Sequence, residues 1–176
     1  MTTSPSTPEG LARFNALSPD DAAAALHAAC GSHRWAGVVA AKRPFATVED
    51  LLQAADEAWF KMAPKDWLEA FSHHPRIGET DLSQARFAKT AAQSSKEQSG
   101  MARASEKTRR AFVEGNAEYE EKFGYVFLIC ATGKSGEEML RQLRRRVTND
   151  SATELRNAVH EQSLITRIRL SKLVKP

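Results

Sequence analysis

Three groups of side chains in this chain of 176 residues have the types and spacing for acid–base chemistry or for holding an anion. The first lies in His73-His74-Pro75-Arg76-Ile77-Gly78-Glu79, a segment that leaves a helix, stiffens at proline and turns at Gly78. Proline restricts the residue before it to extended conformations, which gives the His74 imidazole a defined direction. Imidazole also titrates where proton transfer is easy at neutral pH. A histidine that caps the helix end against its dipole is the structural alternative. His73 should point elsewhere and reads as a structural neighbour.

The second group is Ser94-x-x-Glu97-Gln98, whose side chains share one face of a helix and offer a hydroxyl, a carboxylate and an amide together. The same Ser-x-x-Glu spacing also serves as a capping box, which only starts the helix. The third is Arg169. At about 100° per residue, Leu155, Ala158, Val159, Gln162, Ile165 and Leu173 form a stripe on the last helix, with Arg169 inside it and Arg167 well away from it. An inward arginine must find a carboxylate or an anionic ligand, because an unpaired buried charge costs about 3–5 kcal/mol. A structural salt bridge and an anion site both satisfy that need.

Two further patterns carry less. His27-x-x-Cys30-x-x-His33 has the residue types of a metal site, but the spacing does not converge on a straight helix and Gly31 interrupts it, so no metal is expected there. Arg141, Arg144, Arg145 and Arg146 are flanked by Glu137, Glu138 and Asp150, with no aromatic residue for base stacking. They read as a solvated face, and nucleic acid is not an expected partner.

The elements that must position these groups read as helices. Ser18-Pro19-Asp20-Asp21 supplies an N-cap, a proline at the first helical position and acids in the first turn, so a helix is expected from about 19 to 29. Thr47-Val48-Glu49-Asp50 opens a longer one through Met62, stopped by Pro64. A short helix from Lys65 to Ser72 then delivers the chain to His74. Another helix ends at Phe123-Gly124, and Ser135 to Glu138 and Ser151 to Glu154 have capping-box spacing before helices near 136–147 and 152–173. The β-branched and aromatic run Tyr125-Val126-Phe127-Leu128-Ile129 is expected to be extended without joining a sheet, and residues 75–92 read as a surface loop. The expected architecture is all-α, a single-domain bundle of about seven to nine helices over residues 11–174, after a disordered tail over 1–10.

Composition agrees with a compact soluble domain: 41% hydrophobic and 27% charged residues exclude disordered and fibrous classes, and a net charge of +3 exerts only a weak pull on anions. Cys30 and Cys130 form no CxxC pair and suit free thiols in a reducing compartment, so the cytoplasm is the expected location. The start of the chain lacks the basic and apolar regions of a signal peptide. The longest apolar run, Tyr125 to Ala131, is far shorter than the roughly 20 residues of a membrane helix, and no membrane association is expected. Ser171-Lys172-Leu173 is followed by Val174-Lys175-Pro176 and so is not a terminal peroxisomal signal.

In this order and spacing, His74-Pro75-Arg76-Ile77-Gly78, Ser94-x-x-Glu97-Gln98 and Tyr119-x-x-x-Phe123-Gly124-Tyr125-x-Phe127-x-Ile129-Cys130-Ala131 resemble the OHCU decarboxylases. Phe14-Asn15, Arg43-Pro44-Phe45 and Ile165 to Leu170 extend the resemblance over nearly the whole chain. It implies conversion of 2-oxo-4-hydroxy-4-carboxy-5-ureidoimidazoline, the last intermediate of urate oxidation, to (S)-allantoin, with neither metal nor organic cofactor. By position it implies that His74 and Glu97 are catalytic and that Pro75, Ser94, Gln98 and Arg169 bind substrate. It also implies that Phe127, Leu128, Ile129 and Cys130 line the pocket with their backbone. The family fold is a helical bundle, usually dimeric, so a homodimer acting on a small molecule is implied. Arg76-Ile77 stands where members vary. A lyase or hydrolase of another ureido compound on the same scaffold is the alternative.

Overall fold

Helices begin where a short polar side chain can accept from the otherwise unpaired amides of a first turn. Ser18 accepts from the Asp21 N–H at 3.1 Å, Ser105 from that of Thr108 at 3.1 Å, and Thr47/Asp50 and Ser135/Glu138 each close a full capping box. The computed structural model of the chain describes residues 8–77 and 99–176. Among them it has no strand and nine helices: α1 (Glu9–Asn15), α2 (Pro19–Cys30), α3 (His33–Ala40), α4 (Val48–Trp59), α5 (Pro64–Ser72), α6 (Ser99–Ala102), α7 (Glu106–Phe123), α8 (Gly136–Arg146) and α9 (Ser151–Leu173). The all-α expectation holds.

The chain forms two compact units, Met1–Trp67 with Ser163–Pro176, and Leu68–Gln162. In the first, α3 packs against α2 and α4 around Trp35, which is fully buried and donates its indole N–H to the Ala55 carbonyl at 2.9 Å. Phe14-Asn15 and Arg43-Pro44-Phe45, far apart in sequence, lock together. The Asn15 amide exchanges two hydrogen bonds with the Phe45 backbone, at 2.8 and 3.0 Å, while Arg43 donates to the carbonyls of Phe14, Asn15 and Leu17.

The second unit is built on α7 and α8, which pack against each other and bury Phe112, Tyr119, Met139 and Leu143 in one core with Phe127 and Ile129. Gly124, at φ +79°, ends α7 in the left-handed conformation that glycine adopts without strain, and releases the chain toward Val126. From Val126 to Ala131 the backbone is neither helix nor strand, and Phe127 to Ala131 are buried. Buried backbone amides and carbonyls must nevertheless be paired. Side chains do this: Arg146 donates to the Leu128 carbonyl at 2.7 Å, Glu161 accepts from the Cys130 N–H at 2.7 Å, and Lys134 donates to the Cys130 carbonyl at 2.6 Å.

Several local expectations are corrected by packing. Glu9 and Gly10, read as tail, belong to α1, and Gly10 is buried where the Val174–Lys175 backbone lies against it. Helix α3 carried no recognised start, although Ser32 caps it by accepting from the Trp35 N–H. Helix α4 ends at Trp59, so Met62 is buried from outside the helix. Pro75 and Ile77 are buried rather than on a surface loop. Leu173 is 39% exposed and leaves the buried stripe of α9. His27 and His33 do converge: Gly31 turns the chain between their helices, and the two rings lie 3.9 Å apart.

The largest correction concerns Arg146, read as part of a solvated face. It is 3% exposed, and the fully buried Glu154 accepts from its Nε and Nη2 at 2.9 and 2.6 Å. Glu154 therefore does not close a capping box with Ser151; Asp150 caps α9 instead, accepting from the Thr153 N–H at 2.9 Å. The Tyr119 hydroxyl donates to Glu154 at 2.5 Å, and Asn149 and Asn157 donate to its second oxygen. Burial pushes the Glu154 carboxyl up, but hydrogen bonds from Arg146 and Tyr119 outweigh it and hold the group below its usual range.

Removing one partner strands the other charge, so Glu154→Ala should lower the unfolding free energy by about 3–5 kcal/mol, measured by urea titration followed by circular dichroism. A carboxyl lowered on folding stabilises fully above its unfolded value, near 4.5, and that contribution disappears as pH falls through the lower folded value. The acid limb of the stability profile should therefore be flatter in Glu154→Gln than in the parent.

Candidate active site

In the second unit, the end of α5 carries His74. Its N–H donates to the Phe71 carbonyl at 3.1 Å, the side chain is half-buried, and Nε2 is out of contact with solvent. Two contacts from α7 tie down the residues that follow. Glu120 accepts a two-pronged bond from Arg76, Nε to Oε1 at 2.6 Å and Nη2 to Oε2 at 2.8 Å, and Asn116 donates to the Ile77 carbonyl at 3.2 Å. With Pro75 buried between them, the backbone on the far side of His74 is held as well as the near side.

The same helix end meets the irregular strip. Phe71 packs on Tyr125 with ring centroids 5.2 Å apart, and Tyr125 packs on Tyr119 at 5.9 Å. Burial, then the Glu154 charge, pushes the Tyr125 phenol up to about 12, and burial with the Glu154 hydrogen bond pushes Tyr119 up further. Both phenols therefore stay protonated at neutral pH, and Tyr119 can only donate to the carboxylate. Beyond Tyr125 come Phe127, Leu128, Ile129 and Cys130, all buried. The Arg146 guanidinium lies over the Phe127 ring at 4.6 Å.

Arg169 belongs to the first unit. It is 6% exposed, on the buried side of α9 as its position in the stripe requires, and its Nη1 donates to the Ala29 carbonyl at 3.3 Å. Arg167 points away from that stripe and reaches Asp56 at 2.6 Å and Glu49 at 3.4 Å. Ser94, Glu97 and Gln98 lie outside the described residues, as do Gly78 and Glu79. The described chain resumes one residue after Gln98, at α6, where a groove of about 340 Å³ is lined by Ser99, Gly100, Arg103, Lys134 and Ser135. Gly100 sits so close to the Lys134 carbonyl that a side chain there would collide with backbone.

Sequence reasoning singled out His74 but missed what holds the residues around it. Arg76 and Glu120 were visible only as charges, and Asn116 only as a polar residue on the buried face of a helix. That last position was the usable signal, since a buried amide needs a partner. Arg146, Glu154 and Glu161 were likewise unassigned.

A helical scaffold that ends one helix on a constrained imidazole, and packs that end against a buried strip of non-helical backbone, has the makings of an enzyme working through acid, base and backbone groups. Comparison with known proteins gives the family of this helical scaffold. Residues 15–171 match the model of the OHCU decarboxylase family. The chain is 36% identical to the uric acid degradation bifunctional protein TTL of Arabidopsis thaliana over 82% of its own length, although it spans only 44% of that protein. It is 31% identical to the 2-oxo-4-hydroxy-4-carboxy-5-ureidoimidazoline decarboxylase of Mus musculus, over 79% of this chain and 78% of the mouse one. A crystal structure of OHCU decarboxylase in the presence of (S)-allantoin superposes with a TM-score of 0.72 and 34% identity, covering 84% of this chain and 95% of the other.

The chain belongs to the OHCU decarboxylase family. It is a decarboxylase, one of the carboxy-lyases.

The Arg76–Glu120 pair should matter more for position than for stability. Arg76 is 55% exposed, and such pairs contribute about 0–1 kcal/mol. Glu120→Ala is expected to leave the melting temperature nearly unchanged and, on the catalytic role proposed below for His74, to lower decarboxylation about threefold or more. Steady-state kinetics beside a thermal melt measures both.

Proposed function

We propose that His74 and Glu97 carry the proton transfers with which this enzyme converts 2-oxo-4-hydroxy-4-carboxy-5-ureidoimidazoline to (S)-allantoin, the last step of urate oxidation. The family match over residues 15–171 carries the reading, because it contains every residue invoked. The substrate bears a hydroxyl and a carboxylate on one carbon beside a C=N bond. As carbon dioxide leaves, the electron pair of the broken carbon–carbon bond forms a C=C bond, and the former C=N pair moves onto nitrogen, which takes up a proton. The resulting enol becomes the product carbonyl when its hydroxyl gives up a proton and the neighbouring carbon gains one. A single enantiomer requires that this carbon be protonated on one face only.

His74 accepts or polarises the hydroxyl proton, an act that suits a half-buried imidazole whose flanking backbone is held on both sides. Glu97 and Gln98, with the Ser94 hydroxyl, orient the substrate and deliver a proton, and Pro75 shapes the wall beside His74. Arg169, already buried, pairs with the anionic or carbonyl groups of the substrate. Phe127, Leu128, Ile129 and Cys130 present backbone rather than side-chain chemistry. The working unit is one domain over residues 11–174, paired with a second copy of itself. Cys30 and Cys130 are buried and not bridged by a disulfide, which supports the cytoplasm as its compartment.

The substrate is generated in situ from urate with the two preceding enzymes, and optical activity is followed by circular dichroism. The parent should produce (S)-allantoin far faster than the uncatalysed reaction, which gives a racemate. His74→Gln and Glu97→Gln should each lose about 10²–10⁴-fold in kcat. Arg169→Lys should chiefly raise KM, since an ammonium cannot reproduce the two-pronged geometry of a guanidinium. Full turnover in both the His74→Gln and Glu97→Gln enzymes would overturn the assignment.

A further inference from the structure

We infer that Glu161, with Arg146 and Lys134, is a positioning residue of this decarboxylase: the three side chains fix the edge of backbone that the 127–130 strip turns toward the substrate. The inference rests on the decarboxylase reading above and on the pocket role given there to the strip. In an extended chain, alternate residues turn their N–H and C=O to opposite edges. Leu128 and Cys130 share one edge, and side chains of α8, α9 and the turn that precedes α8 occupy it. Arg146 holds the Leu128 carbonyl at 2.7 Å, Glu161 the Cys130 N–H at 2.7 Å and Lys134 the Cys130 carbonyl at 2.6 Å. The backbone groups of Phe127 and Ile129 are thereby committed to the other edge, and no ladder of a sheet is needed to orient them.

Glu161 is the informative member of the three. Arg146 is also committed to the core through Glu154, so its loss would lower stability along with any change in rate. Glu161 is only half-buried, with its side chain 16% exposed, and one oxygen lies 3.9 Å from Arg146 while the other takes the Cys130 amide. It therefore links the buried ion pair to the strip. A carboxylate accepting a buried backbone amide forms a strong, short bond, and its loss frees that amide to turn.

The test compares Glu161→Ala and Glu161→Gln with the parent in the coupled urate assay, reading kcat and KM separately, the enantiomeric composition of the allantoin, and a thermal melt. The Ala enzyme should lose about tenfold or more in kcat/KM and form measurably less of the (S) enantiomer, since substrate held by a displaced edge is protonated on both faces. The Gln enzyme, which retains an oxygen for the Cys130 amide, should recover most of both. Unchanged rate and enantiomer ratio in the Ala enzyme would overturn the inference, as would equal losses in Ala and Gln that follow a fall in melting temperature. A parent without activity would instead refute the decarboxylase reading, so the two failures are distinct.

Discussion

The buried Arg146–Glu154 pair is the constraint on which the second unit depends. A guanidinium and a carboxylate removed from water gain net stability only when geometry is good and every remaining donor and acceptor is used. Here Glu154 takes two bonds from Arg146 and one from Tyr119 on one oxygen, and two asparagine amides on the other. The third guanidinium nitrogen is then left to hold a backbone carbonyl, that of Leu128. Such a network is specific because moving any one member leaves another without its partner.

That network explains how an all-helical protein keeps a segment of non-helical backbone in its interior. Tyr125 to Ile129 has the composition of a strand, and strands ordinarily find a neighbouring strand to pair their polar groups. None of the described residues forms one. The helices supply long charged side chains instead, and the same arginine that pairs with Glu154 also covers the face of Phe127. The cost of irregular backbone is thus met by charge-assisted hydrogen bonds, and in return the unit has an oriented edge of amides and carbonyls, which helices consume internally.

His74 is held by a different means. Its helix ends by donating the His74 N–H to the preceding turn, proline limits the backbone beyond, and α7 grips the next two residues through Glu120 and Asn116. One helix therefore serves both the buried ion pair and the segment after His74 in this unit, with Tyr119 facing the ion pair and Glu120 facing Arg76. Adjacent positions on a helix point about 100° apart, which lets neighbouring residues serve two sites.

Much of this was legible in the chain. Caps at Ser18, Thr47 and Ser135, the period of the apolar residues and the absence of turn-bounded strands determined an all-α protein, because these are local signals that each helix carries by itself. His74-Pro75 and the inward Arg169 could likewise be named from neighbours within a few residues. What only the tertiary structure decided were pairings between distant residues: Asn15 with Phe45, Arg76 with Glu120, Arg146 with Glu154, Cys130 with Glu161. Arg146 looked like its exposed neighbours Arg144 and Arg145, and Glu154 looked like the end of a capping box. Local sequence records charge and spacing, but which charge is drawn out of water depends on the helix packed against it, and that is a property of the fold.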